Sequence, residues 1–401
     1  MSTLLTPSRR LMLGAGFGLV LAAGASRASF AAAGNGANKL VFVILRGAMD
    51  GLSAVAPYGA REYRTLRGQL ALGEPASAEG VLPLNDTFGL HPSLSGLKAL
   101  WDTKQLSVLH AASTPYRDRS HFEAQDVLES GANRAYGSQE GWLNRAIALL
   151  PDGPSKEGVG ISRTIPLVLR GSAKTSSWAP ALAPGTDPDT LNRLADLYAY
   201  DPLLGPALAR AVETDAILGE GGANMDMRSG GGAARAFGYT QVASAAAKLL
   251  TAENGPSAAV LSFEGWDTHA NQGGATGQLA NRLQGLDAAL TTLKSDLGPV
   301  WNKTAIIVAT EFGRTARVNG TGGTDHGTGG VALLLGGAVK GGQMLGDWPG
   351  LSSLYQDRDL QPANDIRALF SGVMAEHWDL DRAALNERVF ADVKGELRGL
   401  V

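Results

Sequence analysis

Short apolar segments that lack polar alternation constrain the fold of this chain more than any other feature. Six such runs occur, at residues 40–45, 106–110, 165–169, 258–263, 305–309 and 331–335. A strand buried on both faces is apolar throughout, whereas a strand with one solvent face alternates. Leucines at helical spacing over 283–297, and a similar pattern over 361–378, indicate helices near these strands. Strands that alternate with helices predict an α/β fold with a mostly parallel central sheet.

The domain organisation follows from the distribution of these runs. Residues 34–401 are predicted to form a single domain, since a mature chain of about 368 residues can build a large core. The segment at about 136–248 reads poorly as strands or helices, and we expect it to be an insertion or cap-like segment beside the sheet. Within it, the glycine-rich stretch 218–232 is predicted to be a surface loop.

The N-terminal 33 residues have the features of an export signal. Ser8-Arg9-Arg10 precedes an uncharged, moderately apolar run at 14–25, which is shorter than the roughly 20 residues that a membrane span needs. Small residues at 29–33 allow cleavage after Ala31 or Ala33. The paired arginines resemble the twin-arginine signal, and a Sec signal with an incidental arginine pair is the alternative. We therefore expect a periplasmic or secreted protein whose export partner is the twin-arginine translocase.

Charge and cysteine content exclude several classes of partner and site. Removal of residues 1–33 takes away three of the 35 basic residues and none of the 38 acidic ones, which leaves a net charge of −6. This charge argues against nucleic acid and anionic membranes as partners. No later run is long and apolar enough for stable membrane insertion. Because the chain has no cysteine, any metal must be bound by histidine, carboxylate, carbonyl or water.

Four groups of acidic and histidine residues lie where parallel strands would end or in a glycine-rich loop before one. They are Asp50, Asp267 with His269, Glu311, and Asp325 with His326. Ligands of open parallel sheets bind at the carboxyl ends of the strands. Crowded carboxylates and imidazoles at one edge are stabilised by a divalent cation, so these six residues are candidate metal ligands. Asp267 and His269 are two residues apart, which places both side chains on the same side of an extended segment.

Each group taken alone also has a structural interpretation. Asp50-Gly51 is an ordinary turn signal, and Asp325-His326-Gly327 is compatible with a turn that has an Asx cap. Glu311 and Arg314 are compatible with a solvated ion pair at a helix start. The placement of all four groups relative to the strands favours the metal site.

A fifth motif, Arg117-Asp118-Arg119-Ser120-His121, follows the predicted strand at 106–110. Ser120 opens a helical pattern, and a helix N-terminus favours bound anions, which suits a serine nucleophile with Arg117 or Arg119 as an anion clamp. Ser120 and Glu123 also fit a capping box, in which the serine only terminates the helix. His121 is either a metal ligand or a proton donor.

Together these motifs resemble a known family. The chain resembles the family called "domain of unknown function 1501" in a set of motifs that occur in the same order. They are the paired arginines, Arg46-Gly47-Ala48-Met49-Asp50-Gly51, Ser120-His121-Phe122, Trp266-Asp267-Thr268-His269, Glu311-Phe312-Gly313-Arg314 and Asp325-His326-Gly327. That family is similar in fold to alkaline phosphatases, sulfatases and cofactor-independent phosphoglycerate mutases. The resemblance implies a three-layer alkaline-phosphatase-like fold, one or two divalent ions (Zn, Mn, Mg or Ca) and a hydroxyl nucleophile.

Two functions from different classes follow from these motifs. The first is an exported, metal-dependent hydrolase of phosphate or sulfate esters, with a small-molecule or glycan ester as substrate. Ser120, His121 and Arg119 are its candidate catalytic residues, and the six acidic and histidine residues hold the metal. The second is a catalytically weakened family member that binds a surface glycan or an envelope partner.

Overall fold

The computed structural model describes residues 37–179, 194, 197, 198, 201, 204–218 and 232–401. The predicted signal peptide at 1–33 and nearly all of the glycine-rich stretch 218–232 lie outside these residues. Residues 38–401 form one compact unit. No helix in the described ranges combines the length and apolarity needed to cross a bilayer.

The described chain contains twelve strands, of which nine form one sheet and three form a small separate sheet. They are β1 Lys39–Arg46, β2 Val55–Ala56, β3 Leu82–Pro83, β4 Gly89–Leu90, β5 Leu106–Ser113, β6 Glu157–Ile161, β7 Lys174–Trp178, β8 Ala258–Glu264, β9 Thr304–Ala309, β10 Gly330–Leu335, β11 Gln343–Leu345 and β12 Asn364–Asp365. The large sheet has the order β11-β5-β10-β9-β1-β8-β6-β7, and β12 also pairs with β5.

Parallel pairing dominates the large sheet. β1 is paired in parallel with β8 on one side and with β9 on the other, in a register that places Val41 beside Ala259 and Ile306. Among the described strands of this sheet, β10 is the antiparallel one, since it runs against both β5 and β9. The prediction of an α/β fold with a mostly parallel central sheet is therefore confirmed.

Helices cover both faces of this sheet. They are α1 Gly51–Ala54, α2 Tyr63–Arg67, α3 Ser95–Asp102, α4 His121–Ser130, α5 Trp142–Leu149, α6 Leu204–Leu218, α7 Gly232–Thr251, α8 Gln278–Leu297, α9 Ile366–His377 and α10 Arg382–Arg388. Val41 and Val43 of β1 contact the core formed with α3, α7 and α8. Phe42 and Ile44 contact the opposite core, formed with α4, α5, α9 and α10. This alternation of buried residues within one strand produces three layers.

Two expectations about local structure differ from the observed fold. The run at 165–169 forms no strand, because Pro166 lacks an N–H donor and the following residues, Leu167–Leu169, make a short 3₁₀ helix. In the expected insertion at 136–248, part of which lies outside the described residues, β6 and β7 extend the sheet beyond β8 rather than lying beside it.

Candidate metal centre

The carboxyl ends of the central strands bring Asp267 and His269 to one edge of the sheet. In the segment after β8, the backbone N–H of Trp266 donates to the carbonyl of Arg46 at the end of β1. Both side chains point to the same side, since His269 Nε2 lies 3.0 Å from Asp267 Oδ1. The two side chains therefore lie on the same side of the segment, as expected for residues two apart.

A second loop, between β9 and β10, carries His326 to the same place. The backbone N–H of Thr324 donates to the carbonyl of Thr268 at 3.1 Å, which packs this loop against the one that follows β8. Gly323 permits the close approach, because a Cβ atom at this position would lie 2.4 Å from the carbonyl of His269. His326 Nε2 thereby lies 3.4 Å from Asp267 Oδ1.

His121, the first residue of α4, completes the cluster. Its Nε2 lies 3.4 Å from Asp267 Oδ2. Single ligand atoms of His121, Asp267 and His326 all lie within 4.8 Å of one another, a spacing that one metal ion can bridge. His269 adds a further donor, since its Nε2 is 3.0 Å from His326 Nε2. We call these four residues the His–Asp cluster.

Each imidazole of the His–Asp cluster is held through its Nδ1 atom. Nδ1 of His121 lies 2.8 Å from Glu311 Oε1, and Nδ1 of His269 lies 3.0 Å from Asp325 Oδ1. Nδ1 of His326 lies 2.9 Å from the carbonyl oxygen of Arg119. Carboxylate and carbonyl oxygens only accept, so each Nδ1 carries the hydrogen and each neutral ring turns the lone pair of Nε2 toward Asp267. A histidine that binds a metal through one ring nitrogen typically forms a hydrogen bond through the other ring nitrogen.

The convergence of lone pairs shows that the residues fit a cation. In the neutral rings, the Nε2 atoms of His269 and His326 would face each other at 3.0 Å with no hydrogen between them. His121 Nε2 is buried and has no hydrogen-bond partner among the residues that the structure describes. A bound cation supplies partners for these nitrogens, and in its absence a proton must do so.

Arg314 lies beneath the cluster and is fully buried. Its Nη1 donates to Asp267 Oδ1 at 2.5 Å, and its Nε donates to Thr324 Oγ1 at 3.2 Å. A further hydrogen bond joins Nη2 to the Thr324 carbonyl. Arg314 therefore pairs with Asp267 rather than with Glu311, and the solvated ion pair that the sequence permitted does not form.

The charges of the cluster and its partners leave an excess of negative charge that a bound cation would balance. Asp267, Glu311 and Asp325 contribute three negative charges to the cluster and its partners, and Arg314 contributes one positive charge. Burial raises the pKa of the Asp267 carboxyl, but the nearby His121 and His326 rings and the hydrogen bond and charge of Arg314 outweigh burial and hold that pKa far below its usual range. The remaining charge of −2 is the one that a divalent cation neutralises.

The same environment affects His121. Burial lowers the pKa of this imidazole, but the hydrogen bond to Glu311, the approach of Asp267 Oδ2 to 3.4 Å and the negative charges of both carboxylates raise it to about 9. For Glu311, burial raises the pKa, and hydrogen bonds from His121, Gln125 and the backbone of Gly47 lower it by more, so the carboxyl stays ionised. In the metal-free protein the cluster therefore retains a proton up to an alkaline pH.

Asp50 was expected among the metal ligands, but its carboxylate is bound elsewhere. It is fully buried, it caps α1 by accepting from the Leu52 N–H at 3.1 Å, and it forms an ion pair with Arg67. Gln272 Nε2 also donates to Asp50 Oδ2 at 2.7 Å. The structure thus joins Asp267, His269, His326 and His121, places Glu311 and Asp325 behind two of the rings, and sets Asp50 in a separate buried network.

The residues proposed for catalysis lie next to the cluster but differ in their availability. Ser120 occupies the N-cap position of α4, and its side chain makes no capping hydrogen bond. Glu123 instead accepts from the Tyr116 hydroxyl, so the capping box is not formed. Arg119 donates to buried Asp359 through two nitrogens at 2.7 and 3.0 Å, and Arg117 donates to backbone carbonyls. Both guanidinium groups are therefore engaged in holding the loop.

Sequence reasoning missed Arg67, Gln272 and Thr324. An arginine on an amphipathic helix and a glutamine in a loop resemble exposed residues in sequence, and both have no exposed surface in the structure. Arg314 was noticed through its neighbour Glu311, but its partner lies 47 residues away. No sequence signal short of a correct fold identifies these pairs.

Comparisons with known proteins give distant structural likenesses. The C-terminal periplasmic domain of EcEptC from Escherichia coli, solved in complex with Zn, is 12% identical over 76% of this chain and 74% of that chain, with a TM-score of 0.34. The phosphonate monoester hydrolase of Agrobacterium radiobacter is 10% identical over 86% and 74%, with a TM-score of 0.38. Ps i-CgsB in complex with k-i-k-neocarrahexaose is 9% identical over 86% and 72%, with a TM-score of 0.41.

At these identities and TM-scores no residue role is transferred from those proteins to this chain. Among proteins of curated function, no sequence matches it. A family model does match, and it covers residues 37–389. The chain therefore belongs to the family described as "Protein of unknown function (DUF1501)", as its ordered motifs predicted.

Proposed function

We propose that this protein is an exported hydrolase of phosphate or sulfate esters that uses one divalent metal ion held by His121, Asp267, His269 and His326. The observation that carries the proposal is the convergence of three imidazole Nε2 atoms on one carboxylate, with every Nδ1 held from behind. Three imidazoles and one carboxylate form a donor set that suits Zn²⁺, whereas Mg²⁺ and Ca²⁺ prefer oxygen donors. A divalent ion at this position polarises an ester oxygen and neutralises developing negative charge.

The ester class is inferred from the groups beside the cluster. Ser120 precedes the N-terminus of α4, where the helix dipole stabilises a tetrahedral anionic group and lowers the cost of an ionised hydroxyl. In this proposal Ser120 Oγ bonds to phosphorus or sulfur as the bond to the alcohol oxygen breaks. Water then hydrolyses the serine ester and regenerates the hydroxyl.

Two further residues keep the site in position during this reaction. Arg314 keeps the Asp267 carboxylate in one orientation and is itself inaccessible to solvent. Arg119, whose backbone has a φ of 60°, is fixed by Asp359 and presents its carbonyl to His326. We assign Arg119 to positioning rather than to substrate binding, because Asp359 already neutralises its charge.

Metal content and turnover test the proposal together. Purified protein should contain about one equivalent of metal per chain, and His121→Ala should lose it, because one ligand and the Glu311 contact disappear. Phe122→Ala is the matched control, since this neighbour on α4 is 83% exposed and offers no ligand atom. Wild-type protein should cleave 4-nitrophenyl phosphate or 4-nitrophenyl sulfate, and a chelator should abolish that activity.

The possible results separate the two functions. Wild-type protein without stoichiometric metal contradicts the metal centre. Stoichiometric metal with no cleavage of either ester contradicts the hydrolase and favours the role of a binding protein in the cell envelope.

Export is a separate part of the proposal and rests on the sequence motif at residues 8–10. The double change Arg9→Lys and Arg10→Lys should leave the precursor in the cytoplasm, because the paired arginines identify the substrate to the twin-arginine translocase. Fractionation of cells that express the wild-type and double-mutant precursors measures this. Normal export of the double mutant, with export lost when the Sec pathway is inhibited, rules out the twin-arginine route.

A further inference from the structure

We propose that Gln272 is a positioning residue that joins the two loops bearing Asp267, His269 and His326, and that Asp50 fixes the direction of its amide group. The proposal rests on the metal centre proposed above, and it assigns a role to two buried polar residues that the cluster itself does not use. Gln272 and Asp50 both have no exposed surface.

The amide oxygen of Gln272 contacts one threonine from each loop. Oε1 accepts from Thr268 Oγ1 at 2.8 Å and from Thr324 Oγ1 at 2.8 Å. Thr268 lies between Asp267 and His269 in the chain, and Thr324 lies two residues before His326. One amide oxygen therefore fixes the separation of the two backbone segments that present three of the four cluster residues.

Asp50 determines which way this amide points. Gln272 Nε2 donates to Asp50 Oδ2 at 2.7 Å and to Ser53 Oγ at 3.3 Å. Burial raises the pKa of the Asp50 carboxyl, but the charge of Arg67 and hydrogen bonds from Gln272, Ser53 and Arg67 lower that pKa by more than burial raises it. The group is therefore ionised and can only accept hydrogen bonds. The amide NH₂ must then face Asp50, which turns the amide oxygen toward the two threonines.

Hydrogen-bond direction is consistent throughout this network. The Thr324 hydroxyl has one hydrogen, which it donates to Gln272, and it accepts from Arg314 Nε at 3.2 Å. Arg314 in turn donates to Asp267. Arg67 contributes from the other end, because its Nη1 donates to the carbonyls of Thr315 and Ala316, which directly follow Arg314.

The network therefore connects the loops that follow β1 and β8 with the loop between β9 and β10. Removal of either threonine hydroxyl breaks the link between two loops without removing a ligand atom. Partners behind the ligands of a metal typically change its affinity by about 10–100-fold when they are lost. We expect Thr268→Val and Thr324→Val, which keep side-chain volume, to weaken Zn²⁺ binding by about this factor.

The experiment compares Zn²⁺ affinity with the stability of the metal-free protein. Dissociation constants are measured by competition with a chromogenic chelator for wild type, Thr268→Val, Thr324→Val, Gln272→Met and Thr268→Ser. Thr268→Ser retains the hydroxyl and should retain wild-type affinity for Zn²⁺. The other three variants should bind Zn²⁺ more weakly than the wild type. Thermal midpoints of the metal-free proteins identify a purely structural role, which would lower the midpoint and leave the affinity unchanged.

Three results overturn the inference or its basis. Unchanged Zn²⁺ affinity of both valine variants overturns the positioning role, even if Gln272→Met fails to fold. Loss of affinity in Thr268→Ser equal to that in Thr268→Val also overturns it. If wild-type protein binds no Zn²⁺, the metal centre fails, and NMR of the metal-free protein then decides the positioning role: the His269 and His326 ring signals must shift in Thr268→Val, and unshifted signals contradict it.

Discussion

Nδ1 of His121 lies 2.8 Å from Oε1 of Glu311, a carboxylate whose side chain has no exposed surface. Glu311 Oε1 also accepts from the Gly47 N–H at 2.8 Å and from Gln125 Nε2 at 3.0 Å, so its position is fixed by two other segments. The end of β1 and the start of α4 are thereby connected through Glu311, the second residue after β9. Glu311 therefore holds the His121 ring through Nδ1, while Nε2 of the same ring faces Asp267.

The first prediction follows from this contact. Glu311→Gln removes the negative charge behind His121, and metal affinity should fall about 10–100-fold because the ring becomes less basic and less well oriented. Competition with a chromogenic chelator measures the change. Glu376→Gln is the control, since Glu376 is another carboxylate held by several hydrogen bonds, three of them from backbone N–H groups near the C-terminus. Equal affinities for the wild type and Glu311→Gln would contradict the role assigned to Glu311.

The second prediction concerns pH and metal affinity. A histidine must lose its extra proton to bind a metal, and the pKa of His121 in the metal-free protein is about 9. Apparent metal affinity should therefore rise with pH by about tenfold per unit until it levels near that pKa. Calorimetry in buffers of different ionisation enthalpy should show proton release on binding at pH 7. Binding without proton release would place the metal away from His121.

The third prediction concerns the stability of the metal-free protein. This stability should fall at alkaline pH, whereas the metal affinity rises with pH. The folded pKa of His121 is raised, so its stabilisation is complete below the unfolded value of about 6.5 and is lost as the pH rises toward about 9. The folded pKa of Asp267 is lowered, so its contribution is present above about 3.9 and is lost as the pH falls. Thermal midpoints of the metal-free protein should therefore be highest between these two unfolded pKa values. A midpoint that rises from pH 6.5 to 9 would contradict this.

Two arginines near the start of the chain offer a matched pair for stability. Arg67 and Asp50 form a buried ion pair, whereas Arg64 and Glu74 form an exposed pair at 2.7 Å. Arg67→Met should lower the free energy of unfolding by about 3–5 kcal/mol, because Asp50 is left charged without its partner. Arg64→Met should change it by less than about 1 kcal/mol. Denaturant unfolding measures both, and similar values for the two variants would show that burial of the Arg67–Asp50 pair does not matter.

The sequence predicted much of the sheet because its central strands are apolar on both faces. The predicted runs at 40–45, 258–263 and 305–309 correspond to β1, β8 and β9, which lie next to one another in the sheet. β6 and β7 were missed because they contain glycine, serine, threonine and charged residues and lie at one end of the sheet. Strands of this composition owe their conformation to pairing rather than to propensity.

The candidate site was predictable to the extent that it depends on strand ends. Asp267, His269 and His326 lie at or near the carboxyl edge that the order of strands implied, and the structure brings them together. The partners of buried charges were not predictable, because Arg314 and Arg67 find their carboxylates 47 and 17 residues away through folded loops. Asp50 is an example. Its position after β1 predicts a metal ligand, but its carboxylate forms an ion pair with Arg67 instead.

The last prediction separates the two roles of Ser120. Its side chain makes no capping hydrogen bond, so Ser120→Ala should change the free energy of unfolding by less than the roughly 1 kcal/mol typical of a lost cap. If Ser120 Oγ attacks the ester, the same variant should lose turnover by at least about 10³-fold, as enzymes do without their nucleophile. Metal content should be unchanged, since no ligand is removed. Asp118→Ala, an exposed neighbour in the same loop, is the control and should retain turnover. Full turnover of Ser120→Ala with an unchanged thermal midpoint would identify water, rather than Ser120, as the attacking group.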